Sequence, residues 1–273
     1  MSTTTGTTGP AGAQGTHEHG RRPHAEARPI PLVRLVRVEL RKMVDTRSGL
    51  WLLGIIAVLS VAAVVLFRIF GPEEGHTFYG FAGMALTPQA FLLPVLGILL
   101  VTSEWSQRAG LVTFTLEPRR GLVVLAKAIA AVVVGLLGLV LLLAVAALFA
   151  AVAGTGSGDV WDLGGRELGY FSILQVLAIM QGVAFGLLLM SSTAAIVLYF
   201  ALPVAMNLLI TFVEVLRENA GWFDLATGQA PLFTQEALTG EQWAQLATVT
   251  VLWIVLPLVL GWVRLRRTEI KTA

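Results

Sequence analysis

Four histidines, seventeen carboxylates and no cysteine are the groups with which this 273-residue chain could do acid–base, metal or nucleophilic chemistry. Without cysteine there are no disulfides, zinc–thiolate sites, CxxCH haem attachments or thiol nucleophiles. His17, His19 and His24 crowd into a Thr-, Gly- and Pro-rich opening with no ordered ligand framework, so no metal site is expected there. His76 stands alone between apolar stretches. No GxxxxGK[ST] occurs, so the chain is not itself a P-loop ATPase. Neither a Ser–His nor a paired-Asp constellation lies in the apolar stretches, which excludes an intramembrane protease. The chain is expected to be no enzyme on its own and to hold no cofactor.

The elements that carry these residues are set by composition. The chain is 56% apolar and 13% charged, against about 45–50% and about 25% for soluble domains. Mean hydropathy is +0.78. Residues 168–213 contain not one Asp, Glu, Lys or Arg, room for two helices of about 20 residues each across a bilayer. An all-α integral membrane protein follows, with six spans expected near 50–70, 81–103, 127–152, 171–191, 193–213 and 246–263. Residues 1–29 read as a disordered tail because they have too little to bury to offset ordering entropy. The first apolar span begins too far along the chain for a secretory signal peptide. Residues 30–49 read as an amphipathic interfacial helix, 50–264 as the membrane domain and 265–273 as a tail.

Charge sorting orients the spans. Net charge is only +2. Yet sixteen of the nineteen Lys and Arg fall before Leu50, between Glu104 and Lys127, or from Arg264 onward. The alternate connections hold only Arg68, Arg166 and Arg217, with ten of the seventeen acids. Both termini are therefore expected in the cytoplasm and the protein in the cell membrane. At 100° per residue, Val33, Val36, Leu40, Met43 and Val44 share one side of the first helix, and Arg34, Arg37, Arg41 and Asp45 the other. A basic helix of that kind suits a headgroup layer of membrane lipid.

The span interiors lack Asp, Glu and His, the ionisable groups on which ion-coupled carriers rely. Gln89, Gln181 and Asn207 remain as candidates to line a translocation path, or simply to bond between helices. Gly182-Val-Ala-Phe-Gly186 permits close helix approach and marks a packing face.

The connection between the second and third spans is too apolar for a free loop. It carries Glu104, Arg108, Gly110, Leu111, Phe114, Thr115, Pro118, Arg119 and Arg120 before Lys127. Together with Glu39, Lys42 and Arg47 in VRVELRKMVDTRSGLWLL, this ordered set resembles the membrane permease subunits of type-2 ATP-binding cassette exporters over about Leu32–Val263. The resemblance implies a connecting helix at Leu32–Arg47, a coupling helix at about Gln107–Leu116 and short helices outside the membrane in Val215–Gln245. It implies pairing as a homodimer or with a paralogous permease, and a separately encoded ATPase that binds the ATP and Mg. It names Glu39, Glu104, Arg108, Leu111, Phe114, Arg119, Arg120 and Lys127 as coupling or structural residues. Nucleic acid is not an expected partner. The other reading of the same build is a module that signals or assists biogenesis without moving cargo.

Overall fold

The computed structural model describes residues 31–106, 120–153 and 160–267, and among them there is helix but no strand. The chain opens with α1 (Leu32–Asp45), started by Pro31 in extended conformation, whose fixed φ suits a helix entry. Thr46 ends α1 and starts the next helix. Its extended backbone breaks the ladder, while its hydroxyl accepts the Gly49 amide at 3.3 Å. A side chain at Gly49 would run into the Met43 carbonyl, so the corner requires glycine.

The long helices are α2 (Arg47–Phe70), α3 (Phe78–Ser106), α4 (Arg120–Ala153), α5 (Gly165–Leu189) and α6 (Ser192–Phe212). After the short α7 (Glu214–Glu218), α8 (Ala220–Phe223) and α9 (Leu225–Gln229), the chain finishes with α10 (Gly240–Thr250) and α11 (Leu256–Arg267). A π turn at Val251–Val255 joins these last two. With α10 and α11 taken as one helix, six helices are long and apolar enough to cross a membrane, the build of a multi-pass membrane protein.

Burial ranks them. In their most apolar windows α3 and α5 are 56% buried, whereas α2 is 17% and α6 11% buried. The core is therefore the α3–α5 seam, with α2 and α6 at the periphery. The Gly182–Gly186 step is its device: a methyl group on Gly182 would overlap the Pro94 carbonyl, and one on Gly186 would press on Ile98. Gly97 approaches the Ile179 carbonyl from the other side. In an apolar solvent such close packing does the work that the hydrophobic effect does in water.

Pro88 and Pro94 lie inside α3. Pro94 has no amide for the Ala90 carbonyl, and the Tyr199 hydroxyl of α6 donates to that oxygen at 3.0 Å. The α5–α6 corner is two residues, Met190, held in the left-handed region at φ 52°, and Ser191, whose hydroxyl accepts the Ala194 amide at 3.4 Å.

The end opposite α1 is laced by hydrogen bonds. The Asp162 carboxylate accepts the Tyr79 amide at 2.8 Å and the Gln235 side chain at 3.3 Å. The Tyr79 hydroxyl donates to the Phe233 carbonyl at 2.7 Å. The Tyr170 hydroxyl donates to the Glu236 carbonyl and accepts the Leu238 amide, and Arg166 reaches the Gln235 carbonyl.

Candidate functional site

The α1 end holds the one cluster of buried charge among the described residues. Glu39 is 4% exposed. Its Oε2 accepts from Lys127 Nζ at 2.6 Å, and its Oε1 from Lys42 Nζ at 2.7 Å. Lys127 Nζ also donates to the Leu100 carbonyl at 3.1 Å. One carboxylate and one ammonium thus join α1, α3 and α4.

Local sequence explains the arrangement. The apolar run 121–126 continues the α4 helix backward to Arg120, whereas the sequence places the span's start at Lys127. Lys127 consequently lies two turns inside the helix and needs a counter-ion. Glu39 supplies it, and α1 is rotated to let it do so. The buried face of α1 is centred on Glu39 and Met43, with Val36 and Leu40 packed beside them. Val33 and Val44, expected on the apolar side, are 73% and 55% exposed.

Such a pair is rigid while intact and costly to break. Removing one partner of a buried pair costs about 3–5 kcal/mol, because the other charge stays in a poor solvent. The junction can hold three helices in register and pass a displacement of one to the others.

The junction sits at the roots of the connection to which the resemblance assigns a coupling helix. Glu104 lies in the last turn of α3 and Arg120 opens α4. Arg108, Leu111, Phe114 and Arg119, with the rest of 107–119, lie outside the described residues, as do the tail residues 1–29. Of the eight coupling candidates, Glu39 and Lys127 are brought into contact.

The three amide candidates are separated. Gln89 is fully buried: its amide donates to Ser60 Oγ at 3.3 Å, and Ser60 donates to the Ala85 carbonyl at 3.2 Å. The Gln175 amide donates to Gln89 Oε1, while Gln175 Oε1 is buried without a partner. Gly138 of α4 leaves space for the two amides, since a Cβ there would stand 3.0 Å from Gln89 Oε1. Gln181 is 8% exposed on α5, a third of a turn round from Gln175, and Asn207 is exposed on α6. No hydrogen bond among the described residues joins Gln89, Gln181 and Asn207.

Sequence reasoning missed Ser60 and did not connect Gln175 with Gln89. Their polarity in apolar stretches was the available signal, but a pairing 86 residues apart has none. Among the described residues no group of three His, Cys, Asp or Glu could hold a metal. Compared with known proteins, the chain matches no family model and no curated protein.

Proposed function

We propose that the chain is the membrane permease subunit of an ATP-driven exporter of the type-2 ATP-binding cassette kind, working with a separately encoded ATPase in the cell membrane. The observation that carries this reading is the buried Glu39–Lys127–Leu100 junction. It fastens α1 to the two helices from which the 107–119 connection is strung. An ATPase that pushes on that connection moves the roots of α3 and α4, and the ion pair takes α1 with them. A mechanical link of this kind has a use where energy arrives from outside the chain.

The reading also draws on the charge sorting, which puts both termini and the connection in the cytoplasm and α1 flat in the headgroup layer. The short helices α7–α9 then lie at the outer face. Two copies of the chain, or this chain and a paralogue, enclose the path, and switching between inward- and outward-facing states is a population shift driven by ATP in the partner.

The test is photo-crosslinking from Leu111 and Phe114 in native membranes. An adduct to a protein that azido-ATP also labels is expected, and vesicles holding the complex should move cargo with ATP after ion gradients are collapsed. Gradient-driven movement by this polypeptide alone in liposomes overturns the reading. Orientation is checked with the cysteine-free chain. Ala237→Cys should react with an impermeant thiol reagent on intact cells, and Ser48→Cys only after lysis.

A further inference from the structure

The ion pair that turns Glu39 inward has an effect on the opposite side of α1. The helix carries two acids, Glu39 and Asp45. Glu39 is consumed by Lys127 and Lys42, and Asp45 by Arg41 in an exposed pair at 2.9 Å. Arg34 and Arg37 are exposed, one turn apart, and face no carboxylate among the described residues. At 100° per residue they point directly away from the buried Glu39–Met43 stripe, with Arg41 continuing their row. Arg47 follows at the corner, also exposed.

Valines border that row. Val33 and Val44 on one flank and Val38 on the other are 73%, 55% and 44% exposed. One turn beyond the corner, Leu50 and Trp51 of the spanning helix α2 are 56% and 72% exposed, aromatic and aliphatic side chains of the type found at the bilayer boundary. A basic row between apolar flanks, carried directly into a spanning helix, matches a layer whose outer part is phosphate and whose inner part is acyl chain. An acidic protein surface would satisfy the arginines but would strand the valines beside them.

We propose that Arg34 and Arg37 of α1 form a binding surface for anionic phospholipid, selective over zwitterionic lipid. The surface is presented because the Glu39–Lys127 pair turns the Glu39–Met43 face of α1 inward and so leaves the opposite, basic face outward. The proposal rests on α1 lying at the membrane surface, as read above, but not on the exporter function. Each arginine near an anionic surface contributes about 1 kcal/mol, or about fivefold in affinity.

The test uses the full chain in nanodiscs of equal phosphatidylcholine and phosphatidylglycerol, with the co-purifying lipid counted by native mass spectrometry. Wild type should be enriched in phosphatidylglycerol. Arg34→Gln/Arg37→Gln should lose that enrichment by up to about 25-fold at an unchanged thermal transition, and Arg267→Gln should keep it. Equal retention of the two lipids by wild type overturns the proposal. So does enrichment that survives the double substitution, or a double variant whose only loss is an acidic protein partner. A spin label at Val44→Cys separates the two readings. Relaxation by oxygen places α1 in lipid whatever the selectivity, and relaxation by an aqueous nickel chelate removes the interfacial reading and this proposal together.

Discussion

The two ends of the bundle are fastened by different chemistry. At the α1 end, three helices meet on one carboxylate and one ammonium, both buried. At the far end, the connections around Asp162, Phe233 and Leu238 are tied to α3 and α5 by a spread of hydrogen bonds, several of them exposed to solvent. A concentrated fastening is lost all at once when one side chain goes, and a distributed one weakens by steps. The concentrated kind suits a joint that must move as a unit. The distributed kind suits a cap that must stay shut while its parts jostle.

Substitutions can break or sharpen that contrast, and the largest effect belongs to the seam that both ends share. Gly182→Leu puts a branched side chain where the Pro94 carbonyl stands. It should leave almost no monodisperse protein on size-exclusion chromatography in mild detergent, with both ends lost together. Next comes the charged junction. Glu39→Leu or Lys127→Met alone should cost about 3–5 kcal/mol in a denaturant titration, while the double substitution should return to within about 1–2 kcal/mol of wild type. On the exporter reading proposed above, the double variant keeps the fold but not the link from connection to α1, so the partner ATPase should stay poorly stimulated by the chain.

At the far end Tyr170→Phe removes a hydroxyl that both donates and accepts. About 1–2 kcal/mol is expected, seen as faster amide exchange confined to 234–239. The smallest effect is that of Arg166→Ala. Its guanidinium meets the Gln235 carbonyl in the open, and a change within about 0.5 kcal/mol is expected. Equal losses at Tyr170 and Lys127 would erase the contrast.

Much of this architecture is legible in the sequence, for reasons that differ by element. Length and hydropathy suffice for six spanning helices because a lipid-exposed helix must be apolar along its whole length. The helix ends extend past the apolar runs, since residues such as those at 165–170 keep the ladder closed once Glu167 has accepted the Gly164 amide. Facing is less legible. Periodicity groups Val33 and Val44 with Met43, but the demand of a buried Lys127 rotates α1 toward Glu39. Polarity marks Gln89 and Asn207 alike, while packing sends one into the α3–α5 core and the other to the outer surface of α6. The π turn at Val251–Val255 has no signature beyond Pro257 just after it. Pairings such as Glu39 with Lys127, 88 residues apart, depend on which helices touch, and one sequence does not contain that.

The Tyr199–Ala90 hydrogen bond sets an order of events during synthesis. Its two residues are 109 apart, so α3 enters the bilayer with a proline-freed carbonyl whose donor has not yet been translated. The side-chain carbonyl of Gln89 likewise awaits the Gln175 amide of α5, while its NH2 group already has Ser60 of α2. The first half of the protein therefore sits in the membrane as an unfinished surface, polar where it will later be sealed. A chain halted before Tyr199 can close the α3–α5 seam but not that last carbonyl. Completion of α6, the least buried of the six spans, thus satisfies that carbonyl, and the core is finished only when Leu246 and Leu265 of the last span have packed into it.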